Sequence, residues 1–136
     1  MINKIAKSIF FLLFVNISFA QVDVVYNDLV WSDEFDGISV DKGDWTFETG
    51  ASGWGNNELQ NYTNGNNAEV KDGILILTAK KINDNQQAGS YTSTRMITKG
   101  KQEFTFGKME IRAKLPSGRG IWPAIWMLGE NMDEIG

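Results

Sequence analysis

The chain has no cysteine and no histidine, and only two prolines among its 136 residues. Without cysteine, an exported fold must hold together without disulfides, through its apolar core or a bound metal. Without histidine, a Ser-His-Asp triad and a histidine-bearing zinc site are both excluded, so acid–base chemistry falls to carboxylates. Internal repeats, low-complexity tracts, linkers and long amphipathic helical stretches are missing as well. One domain is therefore the economical organisation. Basic residues are also in short supply. Once Lys4 and Lys7 are set aside with the leader described next, 11 basic residues face 17 acidic ones. That balance argues against nucleic acid or an anionic membrane surface as the main partner.

Lys4 and Lys7 precede an unbroken apolar run over residues 9–15, and Ser18-Phe19-Ala20 offers small residues at the two positions a signal peptidase reads. This is the pattern of a secretory signal over residues 1–20, with an apolar core too short to span a bilayer. The expected mature chain starts at Gln21 and is secreted, periplasmic or at the cell surface, with no stable membrane span.

Beyond the leader, short β-branched or aromatic runs alternate with Gly, Asn and Asp, the pattern of antiparallel β-structure. Strands are expected at residues 29–31, 45–47, 74–79 (apolar on both faces, hence buried), 91–98, 107–115 and 121–128. Residues 50–67, rich in Gly, Asn and Thr, read as a long loop pinned by Trp54, Leu59 and Tyr62; such a loop in a compact domain is usually functional or disordered. Residues 82–90 read as a polar surface loop. Lys71-Asp72-Gly73 and Lys99-Gly100-Lys101 read as turns, and Pro116-Ser117-Gly118 as a strand end.

At residues 107–115, Met109, Ile111, Ala113 and Leu115 alternate with Lys108, Glu110, Arg112 and Lys114, which sends apolar and charged sets to opposite faces. A row of charges is most simply a solvated surface. Trp122 and Trp126 fall on one side of the last strand, where Pro123 demands an edge or a bulge. Such indoles could stack on sugar rings, with the N–H as a polar handle. By spacing alone they are better read as core, and the Asn-rich WGNNELQ stretch as a turn without a ligand.

Five segments in order decide between these readings: LVWSDEFDG (29–37), GWGNNELQNYT (53–63), VKDGILILTAKK (70–81), YTSTRMITKGK (91–101) and FGKMEIRAKLPSGRGIWPAIWMLG (106–129). Together they resemble the N-terminal part of glycoside hydrolase family 16, in its laminarinase-like branch of endo-β-1,3-glucanases. The resemblance implies an all-β fold, a concanavalin-like β-jelly-roll sandwich of two curved antiparallel sheets. Residues 21–136 would supply only its N-terminal part, leaving sheet edges and one apolar layer uncovered.

The resemblance also implies a glucan cleft. Glu110 and Arg112 match cleft positions near the scissile bond, and Trp122 and Trp126 match cleft tryptophans, which reverses the reading from spacing. Asn57, with its neighbour Asn56, matches a loop asparagine that bonds sugar hydroxyls. Arg95 matches a cleft-margin arginine, with a structural salt bridge as the other reading. Backbone carbonyls of Glu34 and Gly73 match part of a structural calcium site, whose all-oxygen ligation suits a hard cation; no cofactor is required for catalysis. The implied reaction is retaining hydrolysis of β-1,3- or mixed β-1,3-1,4-glucan by two carboxylates about 5–5.5 Å apart, from an E-I-D-x-x-E or E-I-D-x-E strand motif. Asp133-Glu134-Ile135-Gly136 does not reproduce that motif, so the catalytic acids are expected beyond Gly136. A non-catalytic glucan-binding or lectin-like module on the same sandwich would keep the binding residues without the acids. Either form is expected to be a monomer.

Overall fold

The computed structural model describes residues 24–132. The leader expected over residues 1–20 and the Asp133-Glu134-Ile135-Gly136 stretch lie outside them. Within the described residues the chain forms seven short strands: β1 (Thr46–Glu48), β2 (Gln60–Tyr62), β3 (Ala68–Lys71), β4 (Ile74–Leu77), β5 (Lys80–Lys81), β6 (Tyr91–Ser93) and β7 (Arg95–Ile97). They make three small sheets, β1–β7, β2–β6–β5 and β3–β4.

The β3–β4 hairpin is dictated locally. Lys71 and Ile74 are the last paired residues, and the two between them, Asp72 and Gly73, have φ of 51° and 70°. A two-residue turn with both φ values positive matches the right-handed twist of the flanking strands, and Asp-Gly is among the few pairs that adopt it cheaply. The expected turn at residues 99–101 also forms, with the Lys101 amide donating to the Thr98 carbonyl at 2.9 Å. From that turn the Lys101 ammonium reaches back to the Trp45 carbonyl at 2.7 Å, which holds the end of β7 against the start of β1.

Among the described residues, half of the buried set is polar. Val40 and Val70 are the buried apolar residues among those described, alongside Asn67 and Ser90. Asn67 acts as a staple. Its Nδ2 donates to the Thr78 carbonyl at 2.7 Å and to Thr92 Oγ1 at 3.1 Å, while its Oδ1 accepts from Thr63 Oγ1 at 2.9 Å. One side chain thus joins the β3–β4 hairpin to β6 and to the segment after β2, leaving none of its polar atoms without a partner. Ser90, fully buried, closes the 82–90 loop through Asn85 and Gln87. The apolar complement is an aromatic cluster in which Trp45 lies 6.0 Å from Trp31 and 6.4 Å from Phe35, centroid to centroid. Both indole N–H groups are satisfied by carboxylates, Trp31 by Asp44 at 3.3 Å and Trp45 by Asp33 at 2.7 Å, the usual requirement for half-buried tryptophan.

Several strand expectations are corrected. Residues 29–31, 107–115 and 121–128 form no strand, and none of the seven strands pairs with them. Alternation assigns side chains to faces, but a ladder also needs a neighbour to accept its N–H and C=O groups. Alternating burial survives only around the first of these segments. Trp31, Asp33 and Phe35 are half-buried while Ser32 and Glu34 are exposed, and Lys108 pairs with Glu110 at 2.9 Å on one side of the chain. The strand expected to be buried, β4, is not: Ile74, Ile76 and Leu77 are exposed, because no second layer covers that hairpin among the described residues. The long 50–67 loop carries β2 inside it. One pairing departs from the antiparallel pattern, since β2 runs parallel to β6, with Asn61 opposite Thr92.

Candidate functional site

Residues 50–58 form a tightly wound loop. Gly50, Gly53, Trp54, Gly55 and Asn57 all have positive φ. The Gly53 carbonyl accepts from the Asn56 amide at 2.9 Å and the Glu58 amide at 3.1 Å, closing the turn. Asparagine tolerates the left-handed region; tryptophan does so rarely, and φ of 48° at Trp54 is a strained conformation that costs of order 1–3 kcal/mol and persists only where the surroundings enforce it.

The surroundings do enforce it. The Trp54 indole N–H donates to the Gly50 carbonyl at 3.3 Å, and its ring meets Tyr62 edge-on at 5.4 Å. Gly50 and Tyr62 exchange backbone hydrogen bonds at 2.9 and 3.0 Å, fastening the loop to β2. Glu58 gathers the remaining polar atoms. Its carboxylate accepts from Tyr62 Oη at 2.8 Å, Gln60 Nε2 at 2.6 Å and Asn56 Nδ2 at 3.2 Å. Burial, and then the hydrogen bond to Glu58, push the Tyr62 phenol above its ordinary range, so it is a neutral donor across the physiological range.

Beside this loop stands Arg95, the first residue of β7. The β1–β7 register sets it directly opposite Glu48, and its Nε bonds Glu48 Oε2. Both side chains are about three-quarters buried, at 25 and 27 % exposure. The Arg95 guanidinium carbon lies 4.9 Å from the Trp54 ring centroid and 5.0 Å from that of Trp126. These are cation–π distances.

The residues expected from the sequence therefore divide. Arg95 and Trp126 come together, and Asn56 and Asn57 share the adjoining loop. Arg95 makes the salt bridge of its structural reading and also borders the two indoles. Glu110 and Arg112 are exposed and Trp122 is 82 % exposed; none of them packs into the Arg95 cluster. Glu110 is engaged with Lys108. The Glu34 carbonyl and Asp36 Oδ1 lie 3.9 and 3.7 Å from where a Cβ on Gly73 would stand, so the two expected calcium-site residues are neighbours across 39 positions of sequence. Among the described residues no group of three or more His, Cys, Asp or Glu is arranged to hold a metal. Backbone carbonyls would have to carry much of any ligation there, which is oxygen chemistry suited to calcium.

Glu48, Trp54, Glu58 and Tyr62 join the cluster without having been expected as site residues. Trp54 and Tyr62 were legible as loop pins, and Glu58 sits inside the WGNNELQ stretch. Glu48 carries no local signal, because its role depends on a strand pairing 47 residues away. A separate open groove of about 840 Å³, lined in part by Asp33, Phe35, Val40, Phe47 and Val70, shares no residue with the cluster. Phe47 and Glu48 alternate along β1, so they face opposite sides of it.

Known proteins with the same pattern carry the comparison further. The family model for glycosyl hydrolases family 16 matches residues 55–136. A beta-glucanase of Rhodothermus marinus is 50 % identical over 107 residues, covering 76 % of this chain and 37 % of that protein. A glucan endo-1,3-beta-glucosidase A1 of Niallia circulans is 41 % identical over 120 residues, covering 76 % of this chain and 17 % of that protein. The laminarinase catalytic domain of Thermotoga maritima MSB8 superposes with a TM-score of 0.72 at 50 % identity, over 80 % of this chain and 46 % of that domain. The chain thus spans less than half the length of the relatives it matches. The short sheets described above superpose on less than half of that all-β, jelly-roll catalytic domain, and the chain belongs to glycosyl hydrolases family 16.

Proposed function

We propose that the protein carrying this chain is an exported endo-β-glucanase of the laminarinase type, acting on β-1,3-glucan or mixed β-1,3-1,4-glucan. The observation that carries this is the cluster of Arg95, Trp54 and Trp126 beside the Asn56-Asn57 loop, in a chain that shares its fold and half its aligned residues with a laminarinase domain. Indole faces supply apolar area for the C–H faces of pyranose rings. Asparagine amides supply both donors and acceptors to ring hydroxyls. Trp122, 82 % exposed, offers a further indole face outside that cluster, and Glu110 and Arg112 are assigned as polar groups nearer the cleavage point.

In this reading hydrolysis is retaining. One carboxylate attacks the anomeric carbon while a second protonates the leaving oxygen, and the covalent glycosyl-enzyme is then hydrolysed. The acid pair belongs to the part of the family domain that this chain does not span. A structural calcium held by the Glu34 and Gly73 carbonyls, with Asp36 beside them, fits the same reading, as does export directed by residues 1–20. The protein is expected to act as a monomer.

The test is incubation of the native protein with laminarin, with mixed-linkage β-1,3-1,4-glucan and with an all-β-1,4 glucan, measuring new reducing ends. Release from the all-β-1,4 glucan alone would contradict the proposal. Release from laminarin alone, or from laminarin and mixed-linkage glucan, supports the proposal. Binding to laminarin without cleavage would turn it into a glucan-binding module, and neither binding nor cleavage would end it.

A further inference from the structure

The Glu48–Arg95 pair has a geometry that ordinary surface ion pairs lack. Its two residues are cross-strand partners of β1 and β7, so the backbone ladder sets their meeting, and both side chains are about three-quarters buried. Cross-strand pairs of opposite charge reinforce a sheet. Here the cation also lies within 4.9 and 5.0 Å of two indole centroids that belong to different parts of the chain. Trp54 sits in the strained 50–58 loop, and Trp126 sits in a segment that forms no ladder with any of the seven strands. Among the described residues no strand pairs with the Trp126 segment, and the contact with Arg95 relates its indole to Trp54. A guanidinium suits this task, being planar, permanently charged and weakly hydrated, so it can face aromatic rings while one edge bonds a carboxylate.

We propose that Arg95, held by Glu48, is a positioning residue that sets Trp54 and Trp126 as one sugar-stacking unit, and that Trp54 is thereby a glucan contact in its own right. This rests on the glucan-binding reading of the site. It assigns Arg95 a different task from direct hydrogen bonding to sugar: the Arg95 Nε is committed to Glu48, and the guanidinium face to the indoles. A lysine at position 95 can still place a cation over the rings, whereas a methionine of similar length cannot.

The test compares Arg95→Met, Arg95→Lys and Glu48→Gln in the native protein, with affinity for laminarin and the near-ultraviolet circular dichroism of the tryptophans as readouts. Arg95→Met is expected to weaken laminarin binding about tenfold, the loss of two cation–π contacts and the order they impose. Arg95→Lys is expected to recover all but about threefold of it, and Glu48→Gln to lose about threefold in the same direction. Any loss in turnover should fall on KM more than on kcat. If Arg95→Lys loses as much as Arg95→Met while both keep the wild-type tryptophan dichroism, the guanidinium bonds sugar directly and the positioning role is wrong. If neither substitution changes affinity or dichroism, it is also wrong. Should Arg95→Met fail to fold, the lysine and Glu48→Gln variants carry the same comparison. A native protein that does not bind laminarin would end the proposed function alone. The positioning claim would then stand or fall on whether Arg95→Met loses a tryptophan dichroism signal that Arg95→Lys retains.

Discussion

Tyr62 Oη donates a 2.8 Å hydrogen bond to Glu58 Oε2, and through it the candidate loop is tied to β2. Four residues of sequence separate the two, and between them they engage Gln60, Asn56 and the edge of Trp54. The bond needs the phenol to keep its proton.

This gives a pH dependence with a definite sign. The Tyr62 pKa is raised above its ordinary 10.0, by burial first and by the Glu58 carboxylate second. The folded state therefore holds the proton more tightly than the unfolded chain. The associated stability is fully present below about pH 10 and is lost as pH rises through the folded-state value. Tyr62→Phe should remove this alkaline loss while costing about 1 kcal/mol at neutral pH, the net value of a typical hydrogen bond. Denaturant titrations of the two proteins at pH 7 and above pH 10 check it.

Asn67 is 4 % exposed and makes three side-chain hydrogen bonds across the hairpin, β6 and the segment after β2. Asn67→Ala removes all three bonds made by this buried amide and should cost about 2 kcal/mol. In a domain of 150–250 residues, that lowers Tm by roughly 4–8 °C. A thermal melt measures it, and a shift under about one degree would mean that water replaces the amide.

Trp122 is the opposite case. At 82 % exposure it contributes little packing, so Trp122→Ala should leave Tm nearly unchanged, as surface substitutions usually do. Its affinity for laminarin should nevertheless fall about tenfold, the loss of one aromatic stacking surface. Isothermal titration with laminarin, paired with a melt, separates the two effects.

Calcium offers a fourth test. If the Glu34 carbonyl, Gly73 and Asp36 surround a site of extracellular affinity, with Kd about 10⁻⁴–10⁻³ M, then 10 mM calcium should add about 1.4–2.7 kcal/mol of stability by mass action. Chelation should remove that increment, and Asp36→Asn should reduce it. Equal Tm with calcium and with chelator would exclude a stabilising ion there.

How far the sequence showed all this depends on the range of the interaction. The Asp72-Gly73 turn was legible because two residues determine its backbone and no tertiary partner is needed. Trp54 and Tyr62 were legible as pins of a Gly- and Asn-rich loop, since large apolar side chains in such a loop must rest on something. The alternation at residues 107–115 put Lys108 and Glu110 on one side but gave neither a buried apolar face nor a strand, because pairing and cover depend on neighbours that periodicity does not name. Nor could alternation show that β2 lies parallel to β6. Arg95 was expected at a cleft margin or in a structural salt bridge, yet its partner Glu48 was not named. Their meeting follows from the β1–β7 register, which no local pattern encodes.

The central claim is that the aromatic surface around Arg95 is a β-1,3-glucan site in a hydrolase. Its most direct test is chromatography of the products formed from laminarin by the native protein and by Trp126→Ala. The account predicts a ladder of short β-1,3-linked oligosaccharides from the native protein, formed about tenfold more slowly at low substrate by the variant. Intact laminarin after prolonged incubation with the native protein, or identical rates from the two proteins, would contradict it.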